Sequence, residues 1–102
     1  MTDLEMTKLC AEAVGKTLKE ESFNGAQILL AKSRFGWGDY YPLEDDGQAM
    51  ELVRRFEMTL YKTTLWEAHI GSHNACSVDL RRAIVACVAK MQDASVARKA
   101  VA

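Results

Sequence analysis

At 102 residues the chain is long enough for one modest hydrophobic core and too short for a second domain. Hydrophobic residues at 49% and charged residues at 26% exclude a disordered chain and a membrane-spanning one. Thirteen basic side chains stand against 14 acidic ones, which excludes the broad positive field by which proteins hold nucleic acid or anionic lipid. Neither nucleic acid nor a membrane is therefore an expected partner. Cys10, Cys76 and Cys87 are odd in number and set among apolar or small neighbours, so they read as buried thiols in a reducing compartment. The start, Met1-Thr2-Asp3-Leu4-Glu5, lacks a basic region followed by an apolar one, and no apolar run reaches membrane-spanning length. A cytoplasmic location is the expectation.

In chain order, Thr2 and Glu5 have capping-box spacing, and Met6, Leu9, Cys10, Ala13 and Val14 form a stripe at helical intervals. A first helix to about Leu18 is predicted. The charged run Lys19-Glu20-Glu21 then leads to a turn at Asn24-Gly25. Ala26 to Ala31 reads as a short strand, and Lys32 to Tyr41 as a glycine-punctuated loop. Pro42 and the acidic run after it predict a helix start at Asp45 or Asp46, with Ala49, Leu52, Val53 and Phe56 on one apolar face. Met58 and Leu60 alternate with Glu57, Thr59 and Tyr61, and Trp66, Ala68 and Ile70 with Leu65, Glu67 and His69, as in a hairpin turning at Thr63-Thr64. Gly71-Ser72-His73-Asn74 is a second turn, and Ala75 to Val78 forms a short optional strand. A last helix capped by Ser77 or Asp79 carries Leu80, Ile84, Cys87, Val88 and Met91 on one side, with small Ala83 and Ala86 beside them. The predicted class is α+β, in the order α-β-α-β-β-(β)-α, with helices packed on a small, mainly antiparallel sheet. Residues 1–92 form the single domain, and 93–102 a frayed or projecting tail.

Four sets of residues are candidates for chemistry or recognition. Phe35, Trp37, Tyr40 and Tyr41 supply half of the eight aromatic residues within one loop; they either fold back over the core or stand exposed as anchors for a partner. Arg54, Arg55, Arg81 and Arg82 form two adjacent pairs, and the second pair sits at a helix start where the dipole disfavours cations; either Asp79 and the acidic residues of the central helix compensate it, or an anion or nucleotide is held there as a second candidate ligand. Glu44, Asp45 and Asp46 read as helix capping before they read as acid-base groups. His69, His73 and Cys76 are the one cluster with metal-ligand residue types, but their spacing is not that of a zinc module. Neither a metal, a cofactor nor a catalytic constellation is expected.

The wording from Tyr41-Pro42-Leu43-Glu44-Asp45-Asp46-Gly47-Gln48-Ala49-Met50-Glu51-Leu52, with Leu80-Arg81-Arg82-Ala83-Ile84-Val85 after the hairpin, resembles a group of small bacteriophage-encoded proteins of the phage ABA-sandwich type. The match covers about Trp37 to Met91 and rests on helix-start and core positions. The resemblance implies a phage accessory protein working in the bacterial cytoplasm, with helices flanking a sheet, and carries no catalytic residue. The resulting expectation is a non-enzymatic protein that binds a host or phage protein, such as a host regulator or defence component, through the aromatic segment. Pairing into a homodimer is the companion expectation, since a short chain gains core by association.

Overall fold

Helix ends need partners for backbone groups that the helix itself leaves free, and the chain provides them at the start of every helix and at the ends of the first two. In a computed structural model that describes the backbone of residues 1–101, and the side chains of these except Phe23 and 98–101, the first helix is α1 (Asp3–Ala13). Thr2 caps it, its Oγ1 accepting the Glu5 N–H at 3.1 Å. The helix ends earlier than the apolar stripe predicts. Gly15 turns left-handed at φ +75°, its N–H bonds to Glu12 O at 3.1 Å, and Lys16 N–H bonds back to Ala11 O at 2.9 Å, so the last carbonyls are satisfied and the chain leaves.

Three strands succeed the helix: β1 (Leu18–Phe23), β2 (Ala26–Ser33) and β3 (Gly36–Asp39) form an antiparallel meander. The Asn24-Gly25 turn joins the first two, with φ of 51° and 80° at its central residues, the left-handed pair that a two-residue hairpin demands. The charged run at 19–21 and the segment 36–39 are therefore strands, where the sequence predicted a helix end, a turn approach and a loop. Next come α2 (Asp46–Arg55) and a second meander of β4 (Thr59–Lys62), β5 (Trp66–Ile70) and β6 (His73–Ser77). The final helix is α3 (Leu80–Val101), which takes in the predicted tail from residue 93 onward; Ala102 lies outside the described residues. The class is α+β, with three helices and two separate three-stranded antiparallel sheets among the described residues.

The core forms around α3. Ala83, Ile84, Val85, Cys87, Val88 and Ala89 are all buried, because α1 and α2 cover part of this helix while β5 and β6 cover another. Small Ala68 and Ala75, opposite one another on β5 and β6, let the sheet approach it closely. From α2, Ala49 and Leu52 enter the same cluster, and from α1 Met6, Cys10 and Ala11. The first sheet is attached more lightly. Among its described side chains only Leu29 is buried, and Lys8 of α1 pairs with Glu20 of β1 across the gap.

Candidate functional site

The aromatic segment is the β2–β3 hairpin, and strand parity divides its rings. In the register, Lys32 stands opposite Trp37 and Ala31 opposite Gly38, so odd-numbered residues of β3 project to one side and even-numbered ones to the other. Extending this parity past Asp39 explains why adjacent tyrosines part company. Tyr40 is 3% exposed and packs in the core, whereas Tyr41 is 36%, Trp37 43% and Phe35 92% exposed. Tyr40 therefore belongs to the lid reading and leaves the set of partner anchors; Phe35, Trp37 and Tyr41 are presented to solvent.

The tip is fixed by its own hydrogen bonds. Ser33 Oγ accepts the Phe35 N–H at 3.2 Å and donates to Gly36 O at 3.1 Å, while Gly36, at φ +112°, takes a backbone shape that a side chain would strain. Arg34 and Phe35 are the two tip residues between the strands. The other end of β3 is held by Gln48 of α2. Its Oε1 accepts the Tyr41 N–H at 2.7 Å, and its Nε2 donates to Asp39 O at 2.8 Å. Gln48 is the third residue of a helix capped by Asp45, whose Oδ1 accepts the Gln48 N–H at 2.9 Å. Sequence reasoning missed this clamp: the Asp45–Gln48 spacing signals only the cap, and the Gln48 side chain reaches past the N-cap amide to Tyr41 and Asp39.

Cations gather at the tip end of the same face. Lys19 Nζ lies 4.6 Å from the Trp37 ring centroid, and the Arg34 guanidinium carbon 5.8 Å from that of Phe35. Lys19 also pairs with Glu21 at 3.1 Å. No ion pair to Lys32 or Arg34 occurs among the described residues. At the other end of the hairpin the charge reverses with Asp39 and Glu44, which with Leu4, Ile28 and Tyr41 border a pocket of about 310 Å³. The face is apolar along its middle, through half-buried Ile28 and Leu30.

The four arginines do not form one site. Arg81 donates from Nη1 to Glu44 O at 2.9 Å and lies 3.4 Å from Asp46 Oδ1; Arg82 donates from Nη2 to Asp3 Oδ1 at 2.8 Å. That hydrogen bond, ahead of the charge of the same Asp3, raises the Arg82 pKa. Their cost at the start of α3 is thus offset by three acids, Asp3 of α1, Asp46 of α2 and the capping Asp79, whose Oδ1 accepts the Arg82 N–H at 3.2 Å. Arg54 and Arg55 lie in the last turn of α2, whereas Arg81 meets that helix at its first residue. At 1.5 Å per residue the two pairs are separated by roughly the length of the helix, about 13 Å.

His69, His73 and Cys76 also separate. His73 pairs with Ile70 on the face that turns toward α3, while His69 and Cys76 lie on the opposite, outer face. Among the described residues no group of three or more metal-ligand side chains converges. Cys76 is exposed, contrary to the expectation, because its parity places it on the uncovered side of the sheet beside Glu67. His69 instead joins Tyr61, its Nε2 lying 2.8 Å from the hydroxyl and the rings stacked with centroids 5.0 Å apart. Cys10 and Cys87 are buried, and burial, ahead of the nearby Cys87, pushes the Cys10 thiol up to about 12.

Comparison with protein-family models, with curated proteins and with solved structures finds no match for this chain. No helix among the described residues is long and apolar enough to cross a membrane.

Proposed function

We propose that this chain is a non-enzymatic binding protein that engages another protein through the β2–β3 hairpin. The observation that carries this reading is the exposure of Phe35, at 92%, on a turn fixed by Ser33 and Gly36. Holding a large apolar ring in water yields no folding energy, whereas burying it against a partner removes apolar surface from water at about 25 cal/mol per Å². Trp37 and Tyr41 extend the surface, and a preformed hairpin lowers the ordering cost of association. With the phage resemblance of the sequence, the reading is of a phage accessory protein acting in the host cytoplasm on a regulator or defence component, either as a monomer or as a homodimer. Sizing with light scattering distinguishes the last two.

Affinity capture from bacterial lysate tests the reading, using the wild type, Phe35→Ala Trp37→Ala and Arg54→Ala Arg55→Ala, each first shown by circular dichroism to be folded. The expected result is a protein retained by the wild type and the arginine variant and lost from the aromatic one. Equal retention by all three removes the hairpin as the contact surface.

A further inference from the structure

The charge around the exposed rings defines the partner more closely than exposure alone. Lys32 faces Trp37 across the strand pair, Arg34 shares the tip with Phe35, and Lys19 overlies Trp37. Glu21 neutralises Lys19, so the net excess at the tip comes from Lys32 and Arg34, with Asp39 two residues beyond Trp37 as the nearest acid along β3. A polyphosphate chain gains affinity through the number of phosphates it neutralises, and two free cations beside a carboxylate are a small number for that purpose. A protein segment with a few carboxylates placed around an apolar residue matches both the rings and the charges.

The strand edge adds a direction. Tyr40 N–H bonds to Leu29 O and Lys32 N–H to Thr17 O, which fixes the alternation of the ladder. Trp37 and Asp39 then point their backbone groups away from β2, toward the open edge of the sheet. Gln48 takes the Asp39 carbonyl, leaving the N–H and C=O of Trp37 at the edge. An extended chain lying there pairs with this backbone while its side chains meet Trp37 and the cations on one face.

We infer that the hairpin recognises an extended acidic segment of a partner protein, in which aspartate or glutamate residues flank an apolar side chain. This inference rests on the reading of the hairpin as a protein-binding surface. The carboxylates meet Lys32 and Arg34, and the apolar residue packs on Trp37 and Phe35. Charge pairing at a solvent-exposed rim mainly selects the partner, while the rings supply most of the affinity.

Selection from a displayed library of random peptides tests the inference, with wild type, Lys32→Glu Arg34→Glu and Phe35→Ala Trp37→Ala as baits, all substituted at surface positions and checked for fold by circular dichroism. Wild type is expected to enrich peptides with acidic residues around an apolar one, and a synthetic peptide from that pool to bind the charge-reversed variant about fivefold or more weakly. The charge-reversed variant is expected to enrich basic flanks instead, and added salt to weaken the wild-type complex. Enrichment that needs Phe35 and Trp37 but shows no acidic preference overturns the inference and leaves hairpin binding in place. Enrichment unaffected by Phe35→Ala Trp37→Ala overturns both, and so does wild-type binding confined to single-stranded oligonucleotides or anionic vesicles. A wild type that enriches no peptide overturns the inference.

Discussion

Two adjacent tyrosines show how much a single residue's side decides. Tyr40 and Tyr41 have the same chemistry, yet the buried Tyr40 hydroxyl meets no protein hydrogen-bond partner while Tyr41 faces solvent. Burial, then the charges of Cys10 and Glu51, raises the Tyr40 pKa above its ordinary value. Removing an unpaired buried hydroxyl while keeping the ring is close to neutral or stabilising, so Tyr40→Phe is expected to match or exceed the wild type by up to about 1 kcal/mol in urea unfolding, and Tyr40→Ala to lose about 3 kcal/mol or more. The same groups set the alkaline limit. Unfolded, Cys10 and Tyr40 titrate near 9.0 and 10.0, whereas both are raised in the fold, Cys10 to about 12. Above pH 9 the unfolded chain releases protons that the folded chain keeps, so this contribution is fully present below about pH 9 and is lost as pH rises toward 12. Thermal unfolding followed between pH 8 and 11 is expected to fall less steeply for Cys10→Ala Tyr40→Phe than for the wild type; parallel slopes contradict the assignment.

At the scale of elements, the end of α2 carries a removable strain. Glu57 adopts φ 49° where Glu57 N–H meets Arg54 O and Met58 N–H meets Val53 O, the closing motif that glycine fits without penalty. Glu57→Gly is therefore expected to stabilise the fold by about 1 kcal/mol in denaturant unfolding, and a loss of stability contradicts the strain argument. Gln48→Ala removes both clamping bonds, with an expected cost of about 1–2 kcal/mol and faster exchange of the Tyr41 amide by NMR. Helix starts and buried stripes were legible because each is written locally, in Thr2, Asp45 and Asp79 and in residues repeating at helical spacing. The strands β1 and β3 were not. The Lys19-Glu20-Glu21 run lacks an apolar alternation because an edge strand faces water, and Gly36-Trp37-Gly38-Asp39 becomes a strand only by pairing with β2. Without β3 there was no parity to separate Trp37 from Tyr40; Asp79 and the acids of α2 were legible as partners of Arg81 and Arg82, but Asp3, 79 residues away from Arg82 in sequence, was not.

For the molecule as a whole, α3 is the element around which the rest is arranged, with α1 and α2 against it and the second sheet closing the core. The first sheet is joined to this body by Leu18 and Ala31, which pack against the core, by the Lys8–Glu20 pair and by the Gln48 clamp, a placement that frees its outer face for contact. Its amides are expected to exchange with solvent faster than those of β5 and β6, since exchange follows local burial. The same experiment, repeated on the complex with a captured protein partner, tests the central claim most directly. Slowed exchange across Ser33–Asp39, with β4 to β6 unchanged, is the predicted footprint. A footprint confined to the second sheet or to α3, leaving the hairpin amides as fast as in the free protein, would contradict it.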